Sequence, residues 1–461
     1  MLSDILKNKN TNIFFIGIGG ISMSGLAQIF LNRNYKVSGS DSKKSEATDK
    51  LEKLGAKVFI GQKAENISDA DLIIYTWAIS EDNPELLEAR NRNLPIYTRA
   101  ELLGELMKEH KYNIAISGTH GKTTTTSMAA HIALSAKLDP TILVGGNLDA
   151  INGNILVGNS QYLLTEACEY RESFTKFSPY VGVVLNIEED HMDYYHNIDE
   201  IKTAFKKFIN LIPSDGCLVA NAEDKNLCQV IESNNFKCNI IDFGINKGRI
   251  QAKNISYDNH SCASFQVFDG SKFLFNAQLS VPGEHNILNA LSAISAYLFL
   301  GIDTRLIQEG LLSFKGTHRR FEIKGVKNNI TVIDDYCHHP TEIKASIKTV
   351  LNYPHKNIYC IFMPHTYSRT HALFNEFCTC FEGMDNLIIT DIFPAREKDT
   401  GIINSQMLCQ GITKCGTPCM YMNDFNEIVS YLKKVCVSGD VIITLGAGDA
   451  YKIGEEFLKE I

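Results

Sequence analysis

Lys122 follows a tight glycine turn, and the residues around it could neutralise phosphate. The stretch Asn113 to Met128, NIAISGTHGKTTTTSM, reads as a short buried strand, a turn through Gly118, Thr119, His120 and Gly121, and then a helix. A strand–turn–helix of this kind presents backbone N–H groups and the positive end of a helix dipole to an anion. Lys122 is placed to reach terminal phosphates, the Thr123 hydroxyl to meet a magnesium ion, and Thr124 to continue the cradle. The spacing is not that of a standard P-loop, because Gly118 and Gly121 enclose only two residues and Ile116 stands at the usual first-glycine position. A plain turn with a surface lysine is the simpler reading, and the G-K-T-T run at a helix start weighs against it.

Other chemistry-bearing residues fall just beyond apolar runs. Gln161–Thr165 leads into EACEYRESF (Glu166 to Phe174), and Val181–Leu185 leads into NIEEDHMDYY (Asn186 to Tyr195). If these runs are parallel strands of one sheet, their C-terminal ends share an edge with Lys122. Glu169 and His191 are then the candidates for the metal side, since magnesium takes carboxylate and phosphate oxygens and keeps several waters. Glu188, Glu189 and Asp193 read as a solvated acidic loop. His285, Asn286 and Asn289 lie on one helical face, where they could read a base edge or cap the helix. Further along, GTHRRFEIKG offers paired arginines with Arg320 suited to phosphate, and DDYCHHPTE, PHTYSRT, DIFPAREKDTG and GAGDAYKIG each end a predicted strand.

Near the start, Asn12–Ile18 and the turn Gly17, Gly19, Gly20 resemble a dinucleotide fingerprint with Ser22 in place of its third glycine. Asp41, about twenty residues on, could bond a ribose hydroxyl. Ser80 and Asn83 lie in a polar loop past another strand end. The recurrence of strand, glycine turn and helix at Ile13, Ile114 and Val441 predicts three consecutive α/β domains: Rossmann-like over 1–108, a central P-loop-type ATPase with a mainly parallel sheet over 109–316, and Rossmann-like over 317–461.

Composition narrows the class. The chain of 461 residues is 44% hydrophobic and 21% charged, ordinary for a globular protein with sizeable cores. A net charge of −8 carries no basic footprint for nucleic acid. The start lacks a signal-type apolar core, and Phe14–Leu31 is too interrupted by glycine and serine to span a membrane. The thirteen cysteines form no C-x-x-C pair, so reduced cytoplasmic thiols are expected and zinc is not.

Together GIGGISMSGLA, SGTHGKTTTTSM, EACE, NIEEDHMDYY, GEHNILNALSA, HRRFE, DDYCHHPTE, PHTYSRT, DIFPAREK and LGAGD occur in the order seen in the Mur ligase family, and the chain resembles that family from Phe15 to Asp449. The pattern is most similar to members that add the first amino acid in peptidoglycan precursor synthesis. The resemblance implies ATP-dependent joining of L-alanine to UDP-N-acetylmuramate through an acyl phosphate, with one or two Mg2+ ions, in a monomer or weak homodimer. It implies that Gly118 to Thr124, His285, Asn286, Asn289, Arg320 and Asp335 bind ATP, with Thr123, Glu169 and His191 on the metal. Gly17, Gly19, Gly20, Ser22, Met23, Asp41, Ser80, Asn83 and Arg99 would line the UDP-sugar side. Tyr336, His338, His365 and Arg369 would surround the amino acid, Arg369 on its carboxylate and His338 as proton acceptor. The pattern departs from the family at Ser22, Cys337 and Thr366, where glycine, glycine and arginine are common. Sister ligases for later residues carry a carbamylated lysine where this chain has Phe205, with Lys202 and Lys206 nearby. Three rival functions are open to such a chain. A nicotinamide dehydrogenase would leave the G-K-T loop idle. A non-catalytic regulator would bind ATP without releasing phosphate, and a recycling ligase would attach a preformed peptide to the same sugar nucleotide.

Overall fold

The computed structural model describes residues 2–395 and 397–459. Arg396, inside the DIFPAREK stretch, lies outside the described residues. Three sheets follow one another along the chain, of five, ten and six strands.

The first sheet is wholly parallel. Asn12–Ile16 is central, flanked by Lys36–Asp41 and Lys57–Ile60 on one side and by Leu72–Tyr75 and Ile96–Thr98 on the other. Strand order reverses at the central strand, and ligands of open α/β sheets bind at that point. Gly17, at φ 83°, starts the turn there. The helix Arg99–Met107 closes the unit with a Thr98–Glu101 capping box and packs on the central domain. Contact is so close that a Cβ at Gly104 would lie 1.9 Å from the Lys176 carbonyl.

In the second sheet Tyr112–Ser117 lies between Val181–Val184 and Tyr162–Glu166, all parallel. Their C-terminal ends therefore share one edge, and the loops carrying Lys122, Glu169 and His191 leave from it. The far side is antiparallel: Ile250–Tyr257, Cys262–Asp269 and Lys272–Pro282 form a meander, where the sequence predicts alternating strands and turns. The helix Lys122–Ser135 is buried almost throughout, packed by His285–Phe299 and Thr304–Ser313. Phe205 is fully buried, its ring edge-on to Phe174.

The third sheet pairs Ile330–Asp335, Val441–Leu445, Ile358–Phe362, Asn386–Ile389 and Cys419–Tyr421 in parallel, with Glu322–Lys327 antiparallel at one edge. Buried strands such as VIITL and IYCIF are apolar on both faces because helices cover both sides. The loops at 336–339, 363–366 and 446–450 all leave from the C-terminal ends of these strands.

Candidate active site

Gly118 and Gly121 take φ of 140° and 84°, which an L side chain rarely adopts. A Cβ at Gly121 would also come within 2.6 Å of Asn289 Oδ1. The turn they make folds Lys122 back over it. The Lys122 ammonium donates to the carbonyls of Gly118 and Thr119 and to both oxygens of Glu169, at 3.2 and 3.0 Å. Burial would lower the Lys122 pKa, but Glu169 holds it above its ordinary range. Glu169, 2% exposed, also lies 3.8 Å from His191 Nε2, and its carbonyl accepts from the Tyr195 hydroxyl at 2.6 Å. His191 has φ 56°, a local strain of the kind that clusters at functional sites.

Motif spacing does not single out Glu166, yet it meets the glycine turn directly. The Thr123 hydroxyl donates to its Oε2 at 3.2 Å, and Gly145 N–H to its Oε1 at 2.6 Å. Its place at the end of its strand is the signal that could have found it. One hydroxyl, two carboxylates and an imidazole thus surround the mouth of the turn, a donor set rich in hard oxygens that fits Mg2+.

On one side of the turn a cavity of about 170 Å3 gathers His120, Gly121, Thr124, His285, Asn286, Asn289, Arg320 and Asp335, eight of the residues expected at ATP. Phe243, Val281 and Phe314 supply apolar walls. Burial pushes His285 down to about 4, so its imidazole is neutral, and pushes Asp335 up to about 6. Asp335 accepts from the Ser346 hydroxyl. The two adjacent arginines part company. Arg319 turns inward to Asp334 at 3.0 Å and to the carbonyls of Gly446 and Gly448, while Arg320 faces the cavity.

The cavity is narrow because the central and C-terminal domains meet across it. His120 lies 3.4 Å from Glu188 and 3.3 Å from Glu342. Burial would lower the His120 pKa, yet Glu342 and Glu188 raise it to about 10, so the ring is an imidazolium. Thr341 donates to Glu188 at 2.6 Å, and His339 Nε2 donates to the Glu189 carbonyl at 3.0 Å. Glu188 is therefore part of the domain seam, not a solvated loop. Asp193, exposed as expected, accepts from the Tyr170 hydroxyl at 2.8 Å.

A second cavity, about 610 Å3, opens where all three domains meet. Ser80 and Asn83 reach it from the first domain, His191 from the second, His365 and Arg369 from the third. Asp190, Arg171 and Trp77 also line it, and none of them stands out in the sequence. Arg171 lies over the Trp77 ring, 4.9 Å from its centroid. Asp190 accepts from Arg369 at 3.0 and 2.8 Å. Burial would raise the Asp190 pKa, but His191 and Arg369 keep the carboxyl well below the usual carboxylate range. Tyr336 and His338 do not line this cavity; the His338 ring lies 5.5 Å from that of His365, which does. Burial pushes His338 down to about 3. Its Nδ1–H donates to the Tyr336 carbonyl at 3.1 Å, which leaves Nε2 as an acceptor.

The expected UDP-sugar residues divide. Gly17, Gly19 and Gly20 form the turn, and Arg99 donates to Ser22 at 2.9 Å. Burial lowers the Arg99 pKa. Asp41 accepts from Gly19 N–H at 2.9 Å, so in this conformation its carboxylate braces the turn. Asn83 caps the helix Pro84–Asn91 through Glu85 and Leu86 N–H. The Met23 side chain is 2% exposed and packs in the core, because its helix starts at Ile21 and turns that position inward.

Three family profiles match in succession: the Mur ligase family catalytic domain over residues 12–111, the Mur ligase middle domain over 116–297, and the Mur ligase glutamate ligase domain over 319–448. A UDP-N-acetylmuramate–L-alanine ligase of Clostridium acetobutylicum is 57% identical over 100% of both chains, and one of Clostridium tetani is 58% identical, again over 100% of both. The crystal structure of a UDP-N-acetylmuramate–alanine ligase from Thermotoga maritima superimposes with a TM-score of 0.83 at 30% identity, covering 98% of this chain and 99% of that one. A murein peptide ligase from Psychrobacter arcticus, at 23% identity and a TM-score of 0.74, covers 97% of this chain and 98% of its own and shares the fold. With these matches along three successive α/β domains, the chain belongs to the Mur ligase family.

Proposed function

We propose that the protein joins L-alanine to the carboxylate of UDP-N-acetylmuramate at the cost of ATP, as an early step in making peptidoglycan precursor. The observation that carries this reading is the position of Lys122. It follows Gly121, which lines the cavity with adenine-suited amides, and its ammonium bonds Glu169, whose carboxylate lies 3.8 Å from His191 in the larger cavity reached by all three domains.

Forming an amide from a carboxylate requires activation, and here ATP would convert the muramate carboxylate to an acyl phosphate. That step brings two anions together. Lys122, the N–H groups of the glycine turn and Arg320 offset their repulsion with charges fixed before the reaction. Thr123, Glu166, Glu169 and His191 would hold Mg2+, which adds further positive charge at the phosphates when bound. His285, Asn286 and Asn289 face the base. Arg369 grips the amino-acid carboxylate, and His338 offers a neutral Nε2 to a proton leaving the amine.

Phe205 supports the alanine-adding assignment, since its ring is locked in the core and no lysine fills that place. The nucleotide cavity is smaller than the roughly 300–1,000 Å3 usual for such ligands, so the seam at His120, Glu188 and Glu342 opens to admit ATP. Among the described residues no helix is long and apolar enough to cross a membrane. We place the protein in the cytoplasm, where these small substrates occur.

The test is phosphate release from ATP and Mg2+ with UDP-N-acetylmuramate and alanine, glycine, serine or a peptide as acceptor. The reading requires release that depends on sugar nucleotide and is fastest with L-alanine. Release with peptide but not alanine would turn it into a recycling ligase. ATP binding without release would leave a regulator.

A further inference from the structure

Arg369 is not free in this structure. Its Nε and Nη2 both donate to Asp190 Oδ1, at 3.0 and 2.8 Å, and its Nη1 donates to the His365 carbonyl at 2.8 Å and to His365 Nδ1 at 3.0 Å. Oδ1 also accepts the His191 backbone N–H at 2.7 Å. One carboxylate oxygen thus takes three donors. The other, Oδ2, has His191 Nε2 at 3.7 Å and, among the described residues, no hydrogen bond. The pair lines the three-domain cavity with side chains only 10% and 9% exposed.

An α-amino acid carries opposite charges one carbon apart. A buried arginine answers only the carboxylate, and an ammonium left unpaired in the same pocket costs several kcal/mol. The pocket must therefore hold an anion beside Arg369. Glu397 is committed to the Thr366 and Ser368 hydroxyls and to Ser368 N–H. Glu169 is committed to Lys122, Glu81 to Arg90, and Asp193 to Tyr170. Of the carboxylates lining the cavity, Asp190 is the one that bonds Arg369 among the described residues, and its Oδ2 carries no hydrogen bond there.

We propose that Asp190 is the receptor for the α-ammonium of the incoming amino acid. Oδ1 keeps the guanidinium in place while Oδ2 accepts from the ammonium. The carboxylate then lies on the remaining Nη2–H of Arg369. The Arg369–Asp190 pair is the charge complement of the zwitterion, and it assembles only when the third domain docks on the second. This rests on the ligase reading above and adds the second half of the amino-acid site.

Asp190→Asn keeps the shape and Oδ1, and removes the charge. It is expected to raise the KM for L-alanine about 30- to 100-fold, with the KM for ATP and for UDP-N-acetylmuramate changed less than threefold. Hydroxylamine, a neutral nucleophile, traps the activated carboxylate as a hydroxamate without any amino acid. That trapping by Asp190→Asn is expected within about threefold of the natural protein, and Asp190→Glu is expected to recover part of the alanine KM. An alanine KM within threefold of the natural value overturns the assignment. So does loss of hydroxamate formation in Asp190→Asn, which would make Asp190 a prop for His191. Absence of hydroxamate from the unsubstituted protein would instead sink the ligase reading itself.

Discussion

Replacing Lys122 with methionine isolates the interaction that the active site is built around. The ammonium is bonded to both oxygens of Glu169, and the two side chains are 16% and 3% exposed, so solvent screens them little. Removing the cation strands a buried carboxylate. Breaking such a pair costs about 3–5 kcal/mol. The lower end of that range is about 3 kcal/mol. For a domain of roughly 200 residues that corresponds to a fall of about 6–12 °C in melting temperature. Phosphate release should drop about 10²–10³-fold, as for loss of one preorganised donor. Calorimetry of Lys122→Met, of Glu169→Gln and of the double variant separates the two effects. With the carboxylate neutralised, the double variant should regain most of the melting temperature and none of the activity. A Lys122→Met protein melting within 2 °C of the natural one, or a double variant no more stable than the single, would refute the reasoning.

The neighbouring arginines should answer differently to the same change. Arg319→Lys loses the fork on Asp334 and two carbonyls, and should destabilise the protein by about 2–4 kcal/mol while the KM for ATP stays put. Arg320→Lys should leave the melting temperature alone and lower kcat; equal melting losses in both would contradict the assignment. His120 has a folded-state pKa raised to about 10, so its contribution to the domain seam is complete below about pH 6.5 and is lost as pH rises through 10. Small-angle scattering should show the molecule expanding over that range, and His120→Asn should remove the pH dependence. Phe205→Ala should cost about 3–5 kcal/mol in denaturant titration, as expected of a buried core aromatic; a cost under 1 kcal/mol would mean that the ring is not packed.

Much of the site is written in local spacing. The turn 118–121, Thr123, Glu169, His191, the amides of His285–Phe299 and Arg320 each sit at a strand end or a helix start. A parallel sheet carries all such ends to one edge, so sequence alone predicts that they meet. The cavity beside Gly121 brings together His120, Gly121, Asn286, Asn289 and Arg320 of that set. What spacing could not settle is direction and pairing. Arg319 and Arg320 are adjacent, and only the packing of the third sheet decides that one is pinned to Asp334 and the other faces the cavity beside Gly121. Met23 follows the first glycine turn closely enough to suggest a ligand contact, but the start of its helix turns it into the core. Glu166 ends its strand and Glu169 follows three residues on, and the fold of the glycine turn gives the first to Thr123 and the second to Lys122. Asp190 and Arg369 are 179 residues apart, and His120 meets Glu342 from a different domain. Local backbone rules determine which residues reach an edge. Which charges face one another across a seam depends on how separately folded sheets dock, and no short stretch of sequence contains that information.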